Sequence, residues 1–458
     1  MPEKSPVSRR TFVQAAGVAT AAAVASKYVA APAIQKVKAA GAEVKYGFIG
    51  PGSRGARLME RHLTKIDAGR CVAVCDVYQP NLDSAAKVIG TNPDKYNDYR
   101  ELLARKDVEA VFITVPLYLH YPIMRDALLA GKHVFCEKSL VFTPEEYHGL
   151  KKLHEDNPNL MIQVGLQRRY SLFYQLAEEM VRKGTIGEIT HIFGQWHRNT
   201  NWRRPLTDES LEKQINWRMY REFSGGLTAE LASHQIDIAD RMMGETPLYV
   251  QGIGGLDYFK DGRDIYDNIL LDFVYPSGKK FQYSSITTNA HLPYGGLKGM
   301  AEFGEVIKGT EGSIEITLGK SMWFREPVVA AKKEEAGKAK ENWVAGSTVS
   351  SVKAGDGFPL LLPEDELSEN DSFLQRELKY ARRWLYSKGV MVPEEEVDPE
   401  YAELRSFLEA VRDKKPESIK ANIEVGLLDS LGVMLSNKAM DEGRRVYYSE
   451  IDKMGVTS

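Results

Sequence analysis

The segment Gly50 to Gly55 constrains the fold most, because its sequence G-P-G-S-R-G matches G-x-G-x-x-G. An apolar run at residues 44–49 precedes it, and a helical pattern follows. In such a strand–turn–helix unit, the first glycine allows the tight turn and the second lets a pyrophosphate approach the backbone. The third lets helix and strand pack closely. The motif predicts a dinucleotide site with these cofactor-binding residues: Gly50, Gly52, Ser53, Arg54 and Gly55.

An acidic residue indicates which dinucleotide binds. The next predicted strand covers residues 71–75. Asp76 follows it directly, 21 residues after Gly55. A carboxylate at this position can accept hydrogen bonds from both ribose hydroxyls of the adenosine, and it repels a 2′-phosphate. We therefore expect NAD as the cofactor rather than NADP.

The chain has 458 residues, which is long enough for two domains. Strand and helix patterns alternate up to about Tyr170, which predicts a Rossmann domain with a doubly wound parallel sheet over residues 41–170. Longer strands then follow, and two of them are joined by the turn Pro276-Ser277-Gly278. Residues 171–458 are therefore predicted to form a second α/β domain for substrate binding and oligomerisation, built on a largely antiparallel sheet. Within it, residues 330–362 are rich in Lys, Glu, Ala, Gly and Ser, which predicts a surface insertion.

Charge and cysteine content exclude several classes of function. The formal net charge is -3, which gives no indication of binding to nucleic acid or an anionic membrane. The three cysteines lie in predicted buried strands. Cys71 and Cys75 are about 13 Å apart at ~3.3 Å per strand residue, too far to form a disulfide. The cysteines are therefore predicted to be core residues, and we expect no disulfide framework and no metal site.

The N-terminus carries a predicted export signal over residues 1–40. Ser8-Arg9-Arg10-Thr11-Phe12-Val13 matches a twin-arginine motif, and an alanine-rich stretch follows it. The alternative is an amphipathic helix with a chance arginine pair. Since twin-arginine machinery exports folded proteins, this reading predicts a periplasmic or secreted enzyme that carries tightly bound NAD. The mature protein is expected not to associate with a membrane.

Two segments carry candidate catalytic residues. Glu137 and Lys138 follow a strand predicted at residues 133–136, and ligands bind at the carboxyl ends of such strands. Lys138 could bind a substrate hydroxyl, or the two residues could form a surface pair. Glu230 and His234 lie four residues apart on a predicted helix, so the carboxylate could orient the imidazole as a general base. The alternative for these two is an exposed i,i+4 pair.

Two polar clusters lie at predicted strand ends, where they could line a polyol pocket or form a solvated edge. One begins with Gln167 and Arg168, and the other includes His197 and Asn199.

These motifs, in this order, resemble the Gfo/Idh/MocA oxidoreductase family. The resemblance rests on the G-P-G-S-R-G turn, the Glu137-Lys138 pair and the helix with Glu230 and His234. In the family the second motif usually reads E-K-P, and here Ser139 replaces the proline. The third usually has aspartate four residues before the histidine, and here it is Glu230.

The resemblance implies an NAD-dependent oxidoreductase that acts on a sugar, polyol or glycoside hydroxyl. Lys138 and His234, with Glu230, would be catalytic. A homodimer or homotetramer is also implied. The remaining implied contacts are Arg168, His197 and Asn199 with substrate hydroxyls, and Pro116, His120, Glu137, Lys138 and Gln167 with the cofactor.

Two alternatives remain, and the first uses the same residues in a different reaction. One is a glycosidase in which tightly bound NAD serves a transient oxidation–elimination–reduction cycle. The other is a sugar sensor that has lost catalysis, although the presence of both Lys138 and His234 argues against it.

Overall fold

The computed structural model describes residues 43–206, 208–291, 303–317, 320–326, 357–360, 367–387 and 397–455. The predicted export signal lies outside these residues. Of the predicted surface insertion, only residues 357–360 are described, and residues 357–359 form a strand. Within the described parts of the chain, every helix is too short or too polar to cross a membrane.

Residues 44–164 contain a six-stranded parallel sheet in the order β3-β2-β1-β4-β5-β6. Its strands are β1 (Val44–Ile49), β2 (Gly69–Cys75), β3 (Asp94–Tyr96), β4 (Ala110–Ile113), β5 (His133–Cys136) and β6 (Ile162–Val164). The chain order reverses between β1 and β4, and this reversal opens the crevice where such sheets bind ligands. The predicted doubly wound parallel sheet is confirmed.

Among the described residues, nine strands form a second sheet in the order β14-β13-β12-β11-β7-β10-β9-β8-β15. Its strands are β7 (Ile189–His197), β8 (Tyr249–Gly255), β9 (Asn268–Val274), β10 (Lys280–Ile286), β11 (Phe303–Gly309), β12 (Gly312–Thr317), β13 (Lys320–Arg325), β14 (Gly357–Pro359) and β15 (Val446–Tyr447). Among the described strands of this sheet, only β7 and β10 pair in parallel, so the predicted largely antiparallel sheet is confirmed.

The described α-helices are α1 (Ser53–Arg61), α2 (Gln79–Ile89), α3 (Tyr99–Leu103), α4 (His120–Leu129), α5 (Pro144–Asp156), α6 (Leu172–Arg182), α7 (Glu212–Ile215), α8 (Ser233–Met243), α9 (Phe373–Ser387), α10 (Pro399–Asp413) and α11 (Ile423–Glu442). Helices α8 and α11 cover one face of the second sheet. Ile236 of α8 and Leu431 of α11 share a buried core with Ile192 and Phe281 of the sheet.

Helix α10 follows most strands of the second sheet in sequence but packs on the parallel sheet. The Phe407 ring lies 5.4 Å from that of Phe112 on β4 and 5.9 Å from that of Phe135 on β5. All three side chains are fully buried. The sequence analysis assigned residues 171–458 to the second domain, and the structure differs here because the apolar face of α10 is buried on the first sheet.

Candidate active site

The glycine-rich turn connects β1 to α1. Gly50 has a φ of 83°, a left-handed conformation that favours glycine. A Cβ atom at Gly55 would lie 2.6 Å from Thr114 Oγ1, so helix and sheet approach too closely for any side chain. At Gly52 the nearest atom would be 3.9 Å away, so the space beside this glycine is open. This open space, at the N-terminus of α1, is where a pyrophosphate can approach.

The side chain of Arg54 does not face that open space. Its Nε donates to Glu137 Oε1 at 2.7 Å, and its Nη1 donates to Glu400 on α10. The carboxylate of Glu400 also contacts Arg57 and His62; burial alone would raise its pKa, but these partners lower it to about 2. Two carboxylates hold the Arg54 side chain, so a contact of this residue with the cofactor, through its backbone N–H in the first turn of α1, stays a prediction. A different guanidinium, that of Arg204, donates to Ser53 Oγ at 2.8 Å.

Asp76 follows β2 and lies beside the glycine-rich turn. Its Oδ1 accepts a hydrogen bond from Tyr78 N, and its Oδ2 accepts one from Asn81 Nδ2, both at 2.9 Å. Asn81 Nδ2 is also the atom closest to the open side of Gly52. Burial raises the pKa of Asp76, although its two hydrogen-bond donors oppose this. The acid is thus positioned close to the expected path of the dinucleotide.

We expect Asp76→Asn to weaken the preference for NAD. The amide keeps an acceptor for Tyr78 but removes the charge that repels a 2′-phosphate. The ratio of the dissociation constants of NADP and NAD should fall by about tenfold or more, since a hydrogen bond to a charged group contributes ~1.5–3 kcal/mol. Titration of nucleotide-free protein with each cofactor measures this ratio. Asp83→Asn, at an exposed acid on α2, is the matched control, and an unchanged ratio in Asp76→Asn would remove Asp76 from cofactor selection.

Lys138 follows β5, and its side chain crosses to the segment that carries Glu230. Its Nζ donates to the carbonyl oxygens of Ala229 at 2.8 Å and Glu230 at 2.9 Å. An ammonium group has three donors, so one remains for a substrate oxygen. Burial lowers the pKa of Lys138, and the carboxylates of Glu230 and Glu137 oppose this effect. The peptide bond between Lys138 and Ser139 is cis.

The segment that Lys138 contacts is a turn of π-helix over Thr228–Ala232, directly before α8. Single π-helical turns inside helices are frequent at functional sites, because the wider turn frees carbonyl groups from the helical hydrogen-bond pattern. Two such carbonyls hold Lys138 here. The sequence pattern predicted a regular helix and did not reveal this turn.

Glu230 does not orient His234, which corrects the predicted role of the pair. The Glu230 Oε2 atom accepts a hydrogen bond from Arg218 Nε at 2.7 Å. Burial raises the pKa of Glu230, but Arg218 and Lys138 together lower it below its usual value. The physical reason for the difference is Arg218, a charged partner that attracts a carboxylate more strongly than a neutral imidazole does.

His234 lies at the start of α8 and is buried. Among the described residues its Nδ1 atom has no hydrogen-bond partner, and its ring lies 5.6 Å from that of Trp196. Burial lowers the pKa of His234 well below its usual value, and Lys138, Arg168, Arg54 and Arg198 lower it further. The imidazole is therefore neutral near pH 7 and able to accept a proton.

The three predicted substrate contacts differ in what they face. Arg168 pairs with the buried Glu305 through Nη1, while its Nη2 is buried without a partner among the described residues. Both ring nitrogens of His197 are engaged, one by His291 O at 2.9 Å and the other by Ser284 Oγ at 3.1 Å. Asn199 is exposed. The structure thus leaves Arg168 as a candidate contact, while His197 is held by protein partners.

The reason lies in the alternation of side chains along β7. Residues at even positions face α8, as the contact between Trp196 and His234 demonstrates. The Arg198 guanidinium lies 4.9 Å from the centre of the Trp196 ring and lowers the pKa of His234, so it points toward the site. His197 and Asn199 point to the opposite face. Arg198 lies between His197 and Asn199 in the polar cluster at this strand end, and it is the member of the three that strand alternation directs toward the candidate site.

Three of the residues predicted near the nicotinamide lie where the parallel strands end, and their local partners differ. Pro116 follows β4 at the point where the strand order reverses. Gln167 is half-buried, and its Oε1 has no hydrogen-bond partner among the described residues. Both nitrogens of the buried His120 lie against carbonyl oxygens, that of Ser139 at 2.7 Å and that of Val115 at 2.9 Å. The ring of His120 is therefore engaged by backbone carbonyl groups, and its contact with the cofactor stays a prediction.

Two family models match the chain. Residues 44–166 match the oxidoreductase family model for an NAD-binding Rossmann fold, and residues 174–315 match the Gfo/Idh/MocA C-terminal domain. The chain belongs to the Gfo/Idh/MocA oxidoreductase family.

Two curated relatives each match part of this chain. Inositol 2-dehydrogenase from Salmonella typhimurium is 32% identical over 152 residues, which cover 33% of this chain and 45% of that protein. A glycosyl hydrolase family 109 protein from Shewanella amazonensis is 30% identical over 207 residues, which cover 41% of this chain and 44% of that protein. Each match therefore spans less than half of the relative's length.

A solved structure supports the fold. Scyllo-inositol dehydrogenase from Lactobacillus casei, in complex with NAD(H) and scyllo-inositol, aligns with a TM-score of 0.60. The alignment covers 89% of this chain and all of that one, at 19% identity. At this identity the likeness establishes the shared fold alone.

The residues present fit NAD. The open space at Gly52 suits the pyrophosphate, and Asp76 suits the adenosine ribose. The unpartnered Gln167 Oε1 is an acceptor at the end of the parallel sheet, where a carboxamide group could donate to it. The NAD-binding domain expected from the glycine motif is thereby confirmed by the family match and supported by the local geometry.

Proposed function

We propose that this protein transfers a hydride between NAD and a hydroxyl-bearing carbon of a sugar, polyol or glycoside. One observation carries the proposal. Lys138 keeps one N–H free beyond the two that bind carbonyls, and the nearby His234 is neutral. A hydrogen-bond donor and a proton acceptor on one hydroxyl group are what alcohol oxidation requires.

Each residue has a distinct role in the proposed reaction. His234 accepts the hydroxyl proton. Lys138 donates a hydrogen bond to the same oxygen and stabilises the negative charge that develops there. Bound NAD supplies the hydride acceptor, and the protein supplies orientation and electrostatics. Arg218 and Glu230 fix the turn whose carbonyls hold Lys138, so these two residues position the site.

A glycosidase that uses the same residues is the second candidate. The 30% identity to a glycosyl hydrolase family 109 protein favours it. In this reaction, oxidation of a ring hydroxyl acidifies the neighbouring C–H bond, so the aglycone leaves by elimination. Water addition and reduction then complete the cycle with no net redox change.

A single experiment separates the two candidates. Purified mature protein without added NAD is mixed with a panel of polyols and glycosides, while nicotinamide absorbance and released aglycone are followed together. We expect about one bound cofactor per chain to be reduced, with no aglycone released. Continuous aglycone release without lasting reduction would instead establish the glycosidase, and neither signal across the panel would favour the sensor.

Location and assembly belong to the same proposal. The twin-arginine motif near Arg9 supports export of the folded, NAD-loaded protein, and activity in cell fractions tests this.

On the face of the second sheet away from α8, Ile253 and Leu270 pair directly and are 73% and 56% exposed. Covering such apolar residues supports a homodimer or homotetramer, and the mass of the protein in solution tests it.

A further inference from the structure

Three buried aspartates behind the active site share one hydrogen-bonding pattern. Asp237 Oδ1 pairs with Arg169 at 2.6 Å, Asp240 Oδ1 accepts from Tyr275 Oη at 2.7 Å, and Asp429 Oδ2 accepts from Ser139 Oγ at 3.2 Å. The other oxygen of each carboxyl group is buried and has no partner among the described residues. Each acid is at most 6% exposed. Each side chain is thus held by one oxygen and leaves the other unsatisfied.

The three acids line one small cavity between α8 and α11. Its volume is about 170 Å³, enough for several water-sized particles. Arg169, Glu424, Val425 and Leu428 complete its wall. A buried carboxylate oxygen without a partner is costly, so three of them on one cavity indicate that something binds there.

The charges around the cavity indicate what kind of ligand binds in it. Of the four carboxyl groups on the wall, that of Glu424 is exposed to solvent. Arg169 neutralises Asp237, which leaves two buried carboxyl groups, those of Asp240 and Asp429. The nearby Lys138 is not bonded to Asp429, because its ammonium donates to two carbonyl oxygens. The side chain of Lys420 donates to Gln175 Oε1 instead of entering the cavity. Two carboxylates without a bonded cation match one divalent positive ion.

We infer that this cavity binds a hydrated hard divalent cation, either Mg²⁺ or Ca²⁺. Oxygen ligands favour these ions over zinc or copper. Among the described residues, the set of three close ligand atoms is His62, Asp398 and Glu400, and arginines already bond Glu400. The aspartates of the cavity are spaced more widely, so the ion keeps waters between itself and some of them, as Mg²⁺ commonly does.

The inference does not depend on the proposed reaction, but the ion would stabilise the back of the active site. Asp429 bonds to the side chain of Ser139, the residue after Lys138. Asp237 follows His234 by three residues on α8. An ion that joins Asp237, Asp240 and Asp429 therefore ties the segments of both candidate catalytic residues to α11.

The test measures ion binding directly. Purified mature protein is treated with a chelator to remove bound metal and is then dialysed against Mg²⁺ or Ca²⁺ in separate arms. The bound metal is counted by mass spectrometry. We expect about one ion per chain in at least one arm, with a rise of several degrees in the unfolding temperature. The arm with binding identifies the ion. The double variant Asp240→Asn/Asp429→Asn should lose both effects, while Asp413→Asn, at an exposed acid, should keep both.

The competing occupant is a proton on each acid, since burial raises the pKa of Asp240 and of Asp429. No bound ion in either arm at millimolar concentration would overturn the inference. The count on the wild-type protein decides this even if the double variant fails to fold. Retention of one ion per chain by a folded double variant would also overturn it, because the ion would then lie elsewhere.

Discussion

Lys138→Met is expected to lower kcat by about 10²- to 10³-fold, the usual cost of removing one donor to a developing oxyanion. Methionine has similar length and flexibility but no charge and no N–H donor. The substrate oxygen would lose its hydrogen bond as negative charge develops on it. NAD binding should change little, because the open space at Gly52 and the ribose acceptor Asp76 are separate from Lys138.

The measurement is steady-state turnover on the best substrate of the panel, together with NAD affinity by titration. Lys132→Met is the matched control. Lys132 is also buried and also donates to two backbone carbonyls, those of Arg105 and Val108, but it precedes β5 at the other end of the strand. It should cost stability and leave kcat unchanged. Full turnover in Lys138→Met would remove this residue from the mechanism.

The sequence predicted those parts of the protein whose structure depends on residues close together in the chain. The turn from Gly50 to Gly55 needs one left-handed glycine and one glycine without room for a side chain, and both requirements are visible in the sequence. A fully buried strand such as β4 reads as a continuous apolar run. These features predicted the Rossmann domain, its NAD and the position of Lys138.

Strand β11 was not apparent from the sequence for a physical reason. β11 begins Phe303-Gly304-Glu305, and glycine and glutamate are both uncommon in strands. Glu305 is nevertheless fully buried, because Arg168 and Tyr174 bond its carboxylate. Those partners are more than a hundred residues away in the sequence, so no local pattern could reveal them.

The same limit applies to the candidate site. The spacing of Glu230 and His234 correctly placed both on one helical segment, but it could not show that Arg218 takes the carboxylate. Nor could it show that Glu400, near the end of the chain, holds Arg54. The acids of the proposed ion site come from α8 and α11, far apart in sequence, so no metal-binding spacing appears. Contacts between distant segments decided each of these points.

His234→Asn is expected to lower kcat by about 10²- to 10⁴-fold, the range for losing a general base. Burial and four nearby cationic side chains hold the pKa of His234 well below its usual value. The wild-type imidazole therefore stays neutral as pH falls from 7 to 6, where an exposed histidine would become protonated. We expect kcat/KM to show no loss from His234 over this range, which a pH–rate profile measures.

The same pKa shift predicts how stability changes with pH. Below pH 6.5, the histidine takes up a proton in the unfolded chain but not in the folded one, so protonation favours unfolding. The contribution of His234 to stability therefore falls as pH decreases, by at most about 1.4 kcal/mol per pH unit, until the folded pKa is reached. His234→Asn lacks this dependence. Its free energy of unfolding should approach, or exceed, that of the wild type as the solution is acidified from pH 7 to 5.

Denaturant unfolding at several pH values measures this difference. His191→Asn is the control, because His191 is exposed on the face of β7 away from α8, and it should leave kcat unchanged. The contradicting outcome is a kcat/KM of the wild type that falls tenfold per pH unit from pH 7 to 6. If His191→Asn keeps that fall and His234→Asn loses it, His234 titrates as an ordinary histidine does. A general base that depends on its burial would then be the wrong description of this residue. Loss of turnover together with the altered stability slope in His234→Asn would instead tie catalysis to the same neutral imidazole.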